Sequence, residues 1–282
     1  MIANSKLSLR ELLAFHVEAG VDVALEEQPQ NRFETPSVAS TSVSEVAVPG
    51  AGLASSQSSS RARQQAAGRE SGSVERDFTP PPPDAAVMEA RAAAAHARTL
   101  DELRDALLRF DGCALRATAT QLVFADGTPG ARVMFVGEAP GAEEDREGLP
   151  FVGRSGKLLD RMMAAIGLDR TGAYIANIVP WRPPGNRTPT PQEAAICLPF
   201  IRRQIELANP DVLICLGGPA ASALLGISDG ITKARGRWMK FDAGARTIPA
   251  LATFHPAYLL RSPAAKRLAY RDFLAIKKAL KG

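Results

Sequence analysis

Four short apolar runs, set apart by stretches of helical length, constrain this chain more than any other feature. They are Ala131–Val136, Tyr174–Val179, Val212–Leu216 and Ile248–Phe254, and the stretches near Ser155–Ile166, Pro191–Ala208 and Pro219–Leu225 between them read as helices. Runs of this length without apolar–polar alternation suit strands buried on both faces. Strands alternating with helices imply a three-layer α/β/α sandwich around a mainly parallel sheet, here of four strands. An alanine-rich helix over Ala85–Phe110 precedes this core, and a basic helix over Pro263–Leu280 follows it.

In such sheets ligands bind beyond the carboxyl ends of the strands. That rule gathers Gly137–Asp145, Asn177–Arg187, Gly217–Pro219 and His255–Arg261 on one rim. The first of these belongs to GEAPGAEEDREGLPFVGRSG (137–156), which crowds glycines, carboxylates and one aromatic into a single turn. Glycine allows close backbone approach, Glu138, Glu143, Glu144 and Asp145 offer acid or base chemistry, and Phe151 offers a flat surface. Solvated or capping carboxylates are the plainer alternative. The second loop, NIVPWRPPGNRTP from Asn177, sets two amides and two arginines on a proline-stiffened path. The third opens a helix with two glycines, where free amides favour an anion. The fourth, HPAYLLRSPAAKR, places His255 at a strand end, with leucines beside Arg261 that can wedge between bases or pack in the core.

The 282 residues, 45% hydrophobic, suffice for a full core, and no apolar run reaches the length of a membrane span. With no secretory leader in the first twenty residues, a cytoplasmic, membrane-free protein is expected. Of 34 Lys and Arg only 7 fall in residues 1–84, against 11 of the 30 Asp and Glu, so residues 85–282 carry 27 basic and 19 acidic residues, a net +8. Such a balance suits a phosphate backbone, although a solvated helix accounts for the basic C-terminus equally well. Residues 28–84 are rich in Ser, Ala, Gly and Pro and read as a disordered linker, because they lack apolar bulk to offset ordering entropy. Ahead of it, residues 1–27 hold a short amphipathic helix over 8–19, suited to docking on a partner protein or on its own chain. Cys113, Cys197 and Cys215 lie far apart with no C-x-x-C pair, which argues against disulfides and zinc.

Taken together, GEAPGAEED, GLPFVGRSGKLLD, NIVPWRPPGNR and HPAYLLR resemble the uracil-DNA glycosylase superfamily, family 4 most of all, over roughly residues 111–282. The resemblance implies the three-layer α/β fold and hydrolysis of the bond between uracil and deoxyribose, with the nucleotide flipped into a pocket. It implies that Phe151 stacks on uracil, that Asn177 reads its amide edge, and that His255 donates to the oxygen that gains charge. Gly137 and Ala139 would line the pocket and Asn186 would support it. Between Glu138 and Glu144 the residues leave the choice open, since Ala139 stands where better-known members carry aspartate; Glu138 is preferred for orienting water and Glu144 for shaping the pocket. Arg154, Arg187, Arg261 and Ser262 would hold DNA, while Leu259 or Leu260 fills the gap left by the flipped base.

Family 4 members hold a [4Fe–4S] cluster through four cysteines, and the corresponding positions here read Phe110, Cys113, Trp181 and Cys197. Two thiolates do not make that cage, so no cluster and no other cofactor is expected, with Phe110 and Trp181 packing in its place. A monomeric repair glycosylase acting on uracil-containing DNA is the leading reading. The alternative is a catalytically weak member that binds uracil-containing or single-stranded DNA, or a polymerase-associated accessory module. Covalent trapping is discounted, because FVGRSGKLL (151–159) has no inserted basic loop and no histidine.

Overall fold

Parallel registers align the strand ends on which the site depends. The computed structural model describes residues 83–281. In it β2 (Val133–Gly137) lies between β3 (Ala173–Asn177) and β4 (Val212–Leu216), with Gly137 opposite Asn177. Next to β4 runs β6 (Thr247–Thr253), with Leu216 opposite Thr253. All three of these pairings are parallel, so the carboxyl ends of four strands share one rim, as expected. The sheet has six strands, however, because β1 (Asp126–Gly127) and β5 (Trp238–Asp242) add antiparallel edges in the order β1-β3-β2-β4-β6-β5. Neither edge announces itself in sequence: β1 has two residues, and in β5 only Phe241 is buried. An edge strand needs little apolar content, since one side stays in water.

The two faces of the sheet bury different helices. Met134, Val136, Leu213 and Cys215 join α1 (Pro83–His96), α2 (Leu100–Arg109), α6 (Pro191–Ala208) and α7 (Gly218–Leu225) in the larger cluster. Val133, Phe135, Ile175 and Ile214 meet α5 (Arg154–Ala164) and α10 (Lys266–Ala279) through Leu159, Met163, Phe273 and Ile276. This is the three-layer sandwich. Shorter helices among the described residues are α3 (Leu115–Thr118), α4 (Ala142–Glu147), α8 (Ile231–Ala234) and α9 (Pro256–Arg261).

Boundaries follow local chemistry. The single alanine-rich helix expected over Ala85–Phe110 is two, because Thr99 caps α2 by accepting from the Glu102 amide and so interrupts the chain between Ala97 and Thr99. The last two linker positions, Pro83 and Asp84, open α1 instead, where a first-position proline and a first-turn acid suit a helix start. The basic C-terminal helix begins three residues late, after a 3-10 turn at Pro263–Ala265. By contrast α6 has the expected span, fixed by a Thr190–Glu193 capping box, Pro191, and Asn209 in left-handed backbone. The expected N-terminal helix and the linker as far as residue 82 lie outside the described residues.

Candidate active site

A cavity of about 480 Å³ opens at the rim formed by the four parallel strands, and Glu138, Phe151, Asn177 and His255 all line it. Gly137, the last residue of β2, sets their separation. A Cβ on it would come within 2.5 Å of both the Asn177 Oδ1 and the Phe151 ring, so only glycine lets amide and aromatic converge there. The Phe151 backbone is itself unusual, with φ +55 at a non-glycine residue, and Gly156 is needed beneath it because a Cβ there would sit 1.7 Å from the Phe151 carbonyl oxygen.

Glu144 and Glu138, left undecided by the sequence, differ sharply in their surroundings. The Glu144 carboxylate accepts from three backbone amides, Gly141 at 3.0 Å, Val152 at 3.0 Å and Gly153 at 2.9 Å. It thereby ties the start of α4 to the loop carrying Phe151. Glu138 has no such backbone partners: its Oε1 is buried without a hydrogen bond, burial raises its carboxyl above the usual range, and the Thr188 hydroxyl opposes that rise. The other buried side-chain oxygen or nitrogen left without a partner among the described residues is Asn177 Oδ1, in the same cavity. Buried polar groups are seldom left unpaired, and two such orphans on residues that line one cavity mark a place for a polar ligand.

His255 lines the same cavity as the glutamates. Its ring centroid lies 5.5 Å from that of Phe151, and Gly217 at φ +93 allows the end of β4 to approach it, since a Cβ there would meet the His255 Cβ at 3.1 Å. The ring caps α9: its Nδ1 accepts from the Ala257 amide at 3.1 Å. An accepting Nδ1 leaves the proton of the neutral ring on Nε2. Burial, reinforced by the charge of Arg261 and opposed by Glu144, pushes the imidazole down to about 4, so the ring is neutral at pH 7.

The remaining expected residues divide. Ala139 and Arg261 line the cavity, as do Asn186 and Arg187, but the latter two are engaged with neighbours. Asn186 Oδ1 accepts from Arg182 Nε at 2.7 Å, and Arg187 donates to both Glu193 oxygens at 2.8 and 2.7 Å. Arg154 is exposed at the start of α5, and Ser262 is half-buried just past α9. Of the two leucines, Leu259 is 1% exposed and packs with Phe254 and Ala269, whereas Leu260 is 37% exposed. Leu259 is therefore corrected to a core residue. Thr188, also at the cavity, is not singled out by the sequence, although it belongs to the proline-stiffened loop from Asn177.

A model of the uracil DNA glycosylase superfamily matches residues 124–277. A type-4 uracil-DNA glycosylase of Thermotoga maritima is 44% identical over 172 residues, 60% of this chain and 88% of that protein. Those of Archaeoglobus fulgidus and Saccharolobus solfataricus are 37% and 38% identical, covering 63% and 64% of this chain and 92% and 86% of their own.

These relatives correct the expectation that no cofactor is held, because they are type-4 enzymes, the family-4 group that carries an iron–sulfur cluster, and their similarity points to a cluster here too. The side chains at the corresponding place give a partial match. Cys113 and Cys197 lie with their sulfurs 4.0 Å apart, while Phe110 and Trp181 are buried in the same core cluster and carry no ligand atom, the Phe110 ring standing edge-on to Phe200 at 5.0 Å. Cys215 is a free buried thiol in β4. Among the described residues no group of three or more His, Cys, Asp or Glu side chains converges on a metal position, so these residues do not by themselves form a four-cysteine set, and no step of the chemistry below passes through a cluster.

Proposed function

The chain belongs to the uracil-DNA glycosylase superfamily, and from that premise we propose how its rim residues divide the work of releasing uracil. The activity is hydrolysis of the N-glycosidic bond of uracil in DNA, giving free uracil and an abasic site. A duplex hides that bond, so the nucleotide is flipped into the cavity. There Phe151 stacks on the pyrimidine, and the Asn177 amide pairs with its imide edge, its orphaned Oδ1 accepting from the base N–H.

Departure of the base leaves negative charge on a ring oxygen of uracil. His255, neutral and protonated at Nε2, donates to that oxygen and stabilises the leaving anion without becoming a cation. The sugar becomes oxocarbenium-like, and Glu138, which lines the cavity and has an unpaired Oε1, orients the water that attacks the anomeric carbon. Glu144 acts at one remove by holding the Phe151 loop. Arg154, Arg261 and Ser262 meet phosphates, and Leu260 occupies the space vacated in the helix. Arg187 serves through its pair with Glu193, which fixes the loop. The same reading carries a monomer working in the cytoplasm, with a protein partner for the N-terminal segment.

The observation that carries this division is the pair of orphaned oxygens on Glu138 and Asn177, two residues that line one cavity together with Phe151 and His255. Its test is an excision assay on single-stranded uracil, paired uracil, mismatched uracil, hypoxanthine and thymine, comparing the wild type with Glu138→Gln and Asn177→Ala. The expected result is release of uracil that falls by orders of magnitude in both variants. Binding of uracil DNA with no alkali-sensitive product would establish a binder without turnover, and undiminished release by either variant would remove that residue from the mechanism.

A further inference from the structure

Arg170 lies in the 3-10 turn Arg170–Gly172 that leads into β3, outside the four motifs and away from the cavity lining. Its guanidinium reaches nonetheless to the backbone of the Phe151 loop. It donates to the Pro150 carbonyl at 3.1 Å and to the Phe151 carbonyl, while Nε holds Asp160 Oδ1 at 2.9 Å. The same group also bonds Asp126 of β1 and, at 3.5 Å, the second oxygen of Asp160 on α5. Five contacts thus use the five donors that a guanidinium has.

The two carbonyls it grips belong to the most constrained segment of the site. Phe151 is a phenylalanine at φ +55, a conformation that costs energy for any side chain and persists only where its surroundings impose it. Gly156 provides the space for the Phe151 carbonyl, and Glu144 holds the next two amides, Val152 and Gly153, from the other side. The backbone on either side of the ring is therefore gripped at its carbonyls by a cation and at its amides by an anion. The cation is in turn fixed by two carboxylates on separate elements, β1 and α5.

We propose that Arg170 is a positioning residue for base recognition: by clamping the Pro150 and Phe151 carbonyls it holds the Phe151 ring in the plane on which uracil stacks. The inference rests on the reading of Phe151 as that stacking surface. Arg170 touches neither base nor sugar, and its effect passes through Phe151 alone. Lysine cannot substitute, because three donors on one point charge cannot serve two carbonyls and two carboxylates in a fixed fork.

The test compares wild type, Arg170→Gln, Arg170→Lys, Phe151→Ala and the double variant Arg170→Gln/Phe151→Ala. Two quantities are read per active site: inhibition by free uracil, and the single-turnover rate on a single-stranded uracil oligonucleotide. Aromatic stacking of a base is worth about 1–3 kcal/mol, so Phe151→Ala raises the uracil inhibition constant by roughly ten- to a hundredfold. Both Arg170 variants are expected to raise it by about tenfold, and the double variant to be no worse than Phe151→Ala within about twofold, the signature of two residues acting as one unit.

A purely structural role would lower the active fraction or the melting temperature while leaving uracil inhibition of the remaining active sites unchanged; that result overturns the proposal, as does a double variant whose losses multiply. If Arg170→Gln fails to fold, Arg170→Lys, which keeps the charge, still decides the matter by the same constant. An unchanged inhibition constant in Phe151→Ala would instead strike the stacking reading itself, and is distinguishable because it appears with Arg170 intact.

Discussion

His255 gives up its Nδ1 lone pair to the Ala257 amide, and that one hydrogen bond determines what the ring can do. With Nδ1 accepting, protonation of the ring would set a donor against a donor, which agrees with the imidazole being held at about 4. Replacing His255 by Ala should therefore slow excision by about 10²–10³-fold, the usual cost of one donor to a developing oxyanion, with the fold kept. Single-turnover rates beside a melting curve check this, and near-normal rates would remove His255 from the chemistry. Its folded value lies below the ordinary 6.5, so the unfolded chain binds the extra proton and His255 works against the fold as acid is added. Its share of stability is complete above about pH 6.5 and drains away as pH falls towards about 4. Denaturant titrations at pH 7 and pH 5 should show a smaller acid loss in His255→Ala than in wild type. Glu138 supplies a separate test. Its carboxyl is raised by burial, so the acid limb of the excision rate should lie above the ordinary carboxylate range and vanish in Glu138→Gln, whose rate on the plateau above that limb is lower by about 10²–10⁴-fold.

At the scale of elements, α9 illustrates why the sequence left two leucines undecided. Adjacent residues on a helix point about 100° apart, so HPAYLLR must bury one of Leu259 and Leu260 and expose the other, but the motif does not say which. Packing of α9 against α5 and α10 decides it: Leu259 enters the cluster with Phe254 and Ala269, and Leu260 faces outward. Leu259→Ala should cost about 2–5 kcal/mol of stability by leaving a cavity. Leu260→Ala should leave stability unchanged and slow excision from paired uracil more than from single-stranded uracil, because only a duplex has a gap to fill. Equal losses on both substrates would exclude Leu260 as the wedge. The Glu144 brace belongs to the same scale, since it joins α4 to the loop before α5. Of its neighbours with the same sequence signature, Glu143 is exposed, whereas Asp145 is buried and accepts from the Thr120 amide and hydroxyl and from the Gln121 amide, bracing a different loop.

Across the whole molecule, the cavity residues and their braces lie between Asp126 and Ser262, and the superfamily match spans 124–277. Removing residues 1–80, which stops short of α1, should leave single-turnover excision of a uracil oligonucleotide unchanged. A large loss would show that the N-terminal segment contributes to the site. The sequence by itself determined the parallel core, the rim and the chemical types on it, because strand burial, helix caps and glycine-rich turns are local in their causes and leave local traces. It determined as well that Cys113 and Cys197 stand without two further cysteines at the corresponding positions, although it did not establish what the site holds. The tertiary structure alone decided which glutamate is free and which is a brace, which leucine is exposed, and that Arg170 grips the Phe151 loop from another element. The reason is physical: whether a carboxylate, a leucine or a guanidinium is satisfied depends on partners distant in sequence, such as Val152 for Glu144 and Asp126 for Arg170, and no pattern read along the chain encodes those distances. The GEAPG turn shows both at once, its composition promising a ligand site and only its three-dimensional partners leaving Glu138 with an unpaired oxygen while Glu144, on the same cavity, is held by backbone amides.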